Sequence, residues 1–118
     1  MIENRREFYR VNLYHESVLV RFLSNNGRRE EIEANIEDIS GNGIRFRTSD
    51  HGLFTDCEME FDIHGQSFQR SGKFKRREEN NKVNGEYKYV VAFDKVSEKE
   101  QSRLTSLLLR IDALRRRK

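Results

Sequence analysis

The run Ile32-Glu33-Ala34-Asn35-Ile36-Glu37-Asp38-Ile39-Ser40-Gly41-Asn42-Gly43-Ile44-Arg45-Phe46 holds a strand, a turn and the start of a second strand. Ile32, Ala34 and Ile36 alternate with polar residues. That is the period of a strand with one buried face. Asn42-Gly43 is the commonest dipeptide signal for a two-residue hairpin. Ile44 and Phe46 resume the alternation beyond it. A hairpin here implies antiparallel neighbours, and the same pattern recurs on both sides.

Upstream, Val18, Val20 and Phe22 alternate with Leu19, Arg21 and Leu23 until Asn25-Asn26-Gly27 breaks the run. Downstream, Met59, Phe61 and Ile63 alternate up to a second hairpin signal, His64-Gly65. Phe68, Gly72 and Phe74 mark another strand, Asn80 to Gly85 a polar loop, and Tyr87, Tyr89, Val91 and Phe93 a last strand. These six short strands predict a mainly β fold, a six-stranded antiparallel β-barrel over residues 11–95. Closure into a barrel removes exposed sheet edges. The period then changes. Ser97-Glu98-Lys99-Glu100 reads as a capping box, and Leu104, Leu107, Leu108, Ile111 and Leu114 share one helical face. A C-terminal helix is predicted over 97–116, with the basic residues Arg115 to Lys118 where the helix dipole favours cations. Residues 1–10 show no period and read as a flexible N-terminal arm. Without proline, repeat or low-complexity stretch, residues 1–118 read as a single domain.

Composition narrows the function classes. Hydrophobic residues make up 35% and charged residues 36%, so eight Phe and four Tyr must supply much of the core. The one cysteine, Cys57, has no internal disulfide partner, which favours a reducing compartment. No apolar run approaches the ~18 residues of a membrane span, and the N-terminus is charged. A soluble, cytoplasmic protein is expected. The net charge of +3 conceals an acidic middle and basic clusters at the N-terminal arm, at Arg70 to Arg77 and at Arg110 to Lys118, a distribution suited to local anion sites more than to a long polyanion. His15, His51 and His64 lie in unlike surroundings with no metal-ligand spacing. Ser40 has no nucleophile-elbow pattern, and Asp56 and Glu58 disfavour a thiolate at Cys57. The chain is therefore expected to be neither an enzyme nor a holder of a cofactor.

Two motifs remain. One is Arg5-Arg6-Glu7-Phe8-Tyr9-Arg10, an Arg-x-x-x-Arg; the other is Asp38-Ile39-Ser40-Gly41-Asn42-Gly43, an Asp-x-Ser-x-x-Gly. Arginine offers a planar fork of donors that fits phosphate oxygens and the O6/N7 edge of guanine. Aspartate accepts from the N–H groups on guanine's other edge. A serine hydroxyl suits a phosphate oxygen, and a glycine lets a ligand approach the backbone. Alone, the first motif reads as a solvated arm and the second as a turn. Together, in this order around a six-strand barrel, they resemble the PilZ domain, a bacterial receptor for cyclic di-GMP, over nearly the whole chain.

The resemblance implies that Arg6 and Arg10 grip the ligand's guanines and phosphates. It implies that Arg5 influences whether one or two ligand molecules are held, and that Asp38, Ser40 and Gly43 form the strand-end half of the site. Many members carry a tryptophan later in the barrel; here Lys75, Arg76 and Arg77 occupy that neighbourhood, which makes Arg76 a candidate secondary contact. The implied function is a monomeric or weakly dimeric receptor. It would pass its signal by rearrangement of the arm to an unidentified effector protein, in motility or biofilm control. Two alternatives stand beside it. One is a small basic barrel binding RNA or single-stranded DNA. The other is a PilZ-fold adaptor that binds no nucleotide.

Overall fold

The computed structural model describes residues 10–13, 15–24, 27–49, 55–83 and 85–116, with the backbone alone for residues 79–83. Seven strands and one helix follow in order: β1 Val11–Asn12, β2 Ser17–Leu23, β3 Arg29–Ser40, β4 Gly43–Thr48, β5 Asp56–Ile63, β6 Gln66–Val83, β7 Glu86–Phe93 and α1 Glu98–Arg116. Six of them form a closed ring in the order β3-β2-β5-β6-β7-β4, with β4 pairing back to β3. Every pairing is antiparallel. The seventh strand, β1, was not expected. It is two residues long and pairs with Ile39 and Asp38, beyond the stretch of β3 that β2 covers. Of the flexible arm expected over residues 1–10, residues 1–9 lie outside the described residues and Arg10 is described.

The inner face follows the alternation in the sequence. Val18, Val20 and Phe22 of β2 are buried, as are Ala34, Ile36 and Ile39 of β3, Ile44 and Phe46 of β4, and Met59, Phe61 and Ile63 of β5. Phe46 stacks on Tyr89 with centroids 5.7 Å apart, and Phe61 on Phe68 at 5.5 Å. The helix adds Leu104, Leu107, Leu108 and Ile111 to the same cluster. Leu114, expected on that face, is 52% exposed because the apolar stripe runs out one turn before the helix does. Ser97 caps as expected: its Oγ accepts from the Glu100 N–H at 3.2 Å, and its carbonyl accepts from Gln101 N–H at 2.9 Å. The helix spans the barrel end made by the β3–β4 and β5–β6 turns. Gln101 Nε2 donates to the Gly41 carbonyl at 3.0 Å, and Arg103 donates to that of Ser67 at 2.9 Å.

Two turns differ in an instructive way. His64-Gly65 is the expected tight turn, with φ of 50° and 82°; both residues sit in the left-handed region that such a hairpin requires. Asn42-Gly43 is not a turn pair. Ser40 pairs with Gly43, so the loop residues are Gly41 and Asn42, and Gly43 already belongs to β4. An ideal Cβ at Gly43 would lie 2.9 Å from the Val91 carbonyl oxygen, so close strand packing demands glycine there. The polar loop expected over Asn80 to Gly85 is also corrected. Strand β6 continues to Val83, which pairs with Glu86, because β6 and β7 extend their ladder together after a register shift between Glu78 and Val83.

Candidate functional site

One extra residue in β3 builds the site. Ile36 pairs with Phe46 and Asp38 with Arg45, so Glu37 is a bulge residue. A regular strand would put Asp38 on the same face as Ala34 and Ile36, inside the barrel. The bulge places two residues against one and reverses that alternation. Glu37 and Asp38 therefore both meet cations on the outer face, while Ile39 turns inward. Glu37 forms ion pairs with Arg47 Nε at 2.9 Å and Lys88 Nζ at 3.5 Å.

Asp38 receives the arm. Arg10 Nη1 donates to Asp38 Oδ1 at 2.7 Å, a charge-assisted bond between residues 28 positions apart. The Asp38 side chain is only 9% exposed. Its other oxygen, Oδ2, lies 3.8 Å from Arg45 Nε. Arg45 Nη1 lies 3.7 Å from Glu78 Oε1, and Glu78 Oε2 lies 3.2 Å from Arg76 Nη2. Arg10, Asp38, Arg45, Glu78 and Arg76 thus form a line of alternating charge from the arm across β3, β4 and β6.

Ser40 is buried beside this line but turns toward its own hairpin. Its hydroxyl donates to Asn42 Oδ1 at 2.7 Å and accepts from the Asn42 N–H at 3.4 Å. The hairpin is pinned from outside as well, since the Phe93 N–H donates to the Asn42 carbonyl at 2.9 Å. Of the expected site residues, then, Arg10 and Asp38 are in contact, Ser40 and Gly43 lie at the adjacent hairpin, and Arg76 joins through Glu78. Arg5 and Arg6 lie outside the described residues. Arg45 and Glu78 were missed in the sequence. A turn at Asn42-Gly43 would have set Asp38 opposite Arg47; the observed turn sets it opposite Arg45.

Among the groups set aside as catalysts, the Cys57 thiol has an unreactive setting. Burial pushes the Cys57 thiol up to about 12, and Asp56, Asp94 and Glu58 add to the shift. His15 and His64 are exposed. Among the described residues no group of three or more His, Cys, Asp or Glu is placed to hold a metal ion, and no helix is long and apolar enough to cross a membrane. Every described Phe and Tyr is buried or partly buried.

A family model of the PilZ domain matches residues 4–110, and the chain belongs to the PilZ domain family. Solved structures with the same fold include MrkH of K. pneumonia in a complex with c-di-GMP, at 21% identity and a TM-score of 0.71 over 97% of this chain and 56% of that one. MotI/DgrA, an inhibitor of motility from Bacillus subtilis, is similar at 15% identity and a TM-score of 0.70, over 92% of this chain and 51% of that one. YcgR of Escherichia coli in complex with c-di-GMP is similar at 12% identity and a TM-score of 0.70, over 96% and 48%. The chain spans about half the length of each of these three. No curated protein matches it.

Proposed function

We propose that this chain is a cyclic di-GMP receptor whose site lies on the outer face of the barrel, where the arm meets the β3–β4 hairpin. The observation that carries the reading is the 2.7 Å contact between Arg10 and Asp38. It joins the two motifs whose residue types suit guanine bases and phosphodiesters. In this reading Arg6 and Arg10 supply donor forks to phosphate and guanine, and Arg5 adds a third cation. Asp38 accepts guanine N–H groups, and Ser40 and Gly43 shape the hairpin beside it. Arg76 is a secondary contact. The chain acts by binding and not by catalysis, and the arm relays occupancy to a partner protein. Motility control is the favoured setting, because one similar structure is a motility inhibitor.

Nucleic acid is the less favoured ligand, since the described aromatic rings that would stack on bases are buried or partly buried. A calorimetric titration with cyclic di-GMP, GTP and a single-stranded oligonucleotide separates these readings. Saturable binding of cyclic di-GMP alone is expected. Losing one partner of a buried charge-assisted pair costs ~2–5 kcal/mol, so Arg10→Ala and Asp38→Ala should each weaken binding more than about tenfold. Wild-type affinity in both variants would refute the assignment.

A further inference from the structure

We propose that Arg45, steadied by Glu78, is the positioning residue that holds the Asp38 carboxylate toward the ligand once Arg10 leaves it. The inference rests on the proposal that cyclic di-GMP binds at this site. It begins from an asymmetry at Asp38. Oδ1 is fully engaged by Arg10 at 2.7 Å. Oδ2 faces Arg45 Nε at 3.8 Å, too far for a hydrogen bond. That Nε–H is buried and has no acceptor in hydrogen-bond range among the described residues. A buried donor without an acceptor is unfavourable, and a small swing of Asp38 toward Arg45 would satisfy it.

While Arg10 holds Oδ1 the gap stays open. A ligand that draws the Arg10 guanidinium onto its own phosphate or base leaves a nearly buried carboxylate short of a cation, which is costly. Among the described residues, Arg45 is the other cation within ion-pair distance of Asp38. Its far end is in ion-pair range of Glu78, with Nη1 3.7 Å from Glu78 Oε1, while Glu78 Oε2 engages Arg76 at 3.2 Å. With Arg45 closed onto Oδ2, the remaining lone pairs of the carboxylate are left for guanine N–H donors. Arg10 would then be exchanged for Arg45 as the partner of Asp38, without Asp38 ever lacking one.

The test is calorimetry with cyclic di-GMP on the full chain as wild type, R45Q, E78Q, D38A and R45Q/D38A, with thermal unfolding of each. R45Q should bind about tenfold more weakly at an unchanged unfolding midpoint, and should cause no further loss in the D38A background, since coupled residues are not additive. E78Q supplies a test of sign. Removing an acidic charge near an anionic ligand should tighten binding if only the overall field matters; positioning requires it to weaken binding several-fold. The E78Q result stands even if R45Q fails to fold. Wild-type affinity in R45Q, an undiminished R45Q loss in the D38A background, or tighter binding by E78Q would each overturn the role of Arg45. A wild type that does not bind would instead overturn the proposed ligand, and this inference with it.

Discussion

At the scale of single residues, Gly43 is a motif position with a packing reason of its own. It was read as a place where a ligand approaches the backbone. Its neighbour in the fold is the Val91 carbonyl, 2.9 Å from where a Cβ would stand. Packing in β4 is therefore sufficient reason for glycine, whatever the ligand does. Gly43→Ala should destabilise the domain by about 1–3 kcal/mol through overpacking. Chemical denaturation checks this, and an unchanged midpoint would mean that β4 and β7 can spread at no cost. Asp38 teaches a different lesson. Its residue type was legible as an acceptor, but not its direction, because alternation from Ala34 and Ile36 points it into the core.

At the scale of elements, the attachment of α1 depends on a residue read only as part of a basic cluster. Arg70 alternates with Phe68 and Gly72 on the inner face of β6, opposite Met59. Its side chain is 1% exposed. Nη1 donates to the Gln69 carbonyl at 2.9 Å, and Nη2 to the Glu100 carbonyl in the first turn of α1 at 3.0 Å. Burial lowers its pKa, while the Glu100 carboxylate opposes that shift. Glu100 itself is held below the usual carboxylate range, first by its hydrogen bond from Arg103 and then by Arg70. The sign for pH follows: this contribution is present above the unfolded carboxylate pKa of ~4.3 and is lost as pH falls through the lower folded value. Arg70→Ala should cost about 2–3 kcal/mol, since it removes buried bonds from a charged donor. Helical circular dichroism during urea titration should show α1 lost early. A variant as stable as wild type would mean that the apolar stripe alone docks the helix.

At the scale of the whole molecule, the proposed relay runs through the arm. Its last residue is already tied to the barrel by Asp38, and Val11 and Leu13 just beyond are buried. The Arg10–Val11 bond should therefore resist trypsin even without ligand. The Arg5 and Arg6 bonds should be cut readily in the free protein and protected by cyclic di-GMP, because ordering this segment costs roughly 1–2 kcal/mol per residue in backbone entropy, which ligand contacts must offset. Mass spectrometry of timed digests distinguishes the sites. Equal protection with and without ligand would assign the signal to another element, for which the hairpin held by Gln101 of α1 is placed.

Periodicity alone determined the class of fold: the barrel, the hairpin at His64-Gly65 and a helix beginning at its Ser97 cap. These are local, because side-chain alternation and turn chemistry act over a few residues. The motif residues were legible too, since donor forks and acceptors are properties of residue type. Tertiary structure alone decided which of them meet. The bulge at Glu37 turns Asp38 outward, a loop at Gly41-Asn42 sets it opposite Arg45, and the extension of β6 to Val83 carries that strand into the loop expected from Asn80. Each depends on the register of hydrogen bonds across a strand pair, β3 with β4 or β6 with β7. A shift of one residue in that register exchanges the faces of every side chain beyond it, and no short stretch of sequence carries that information.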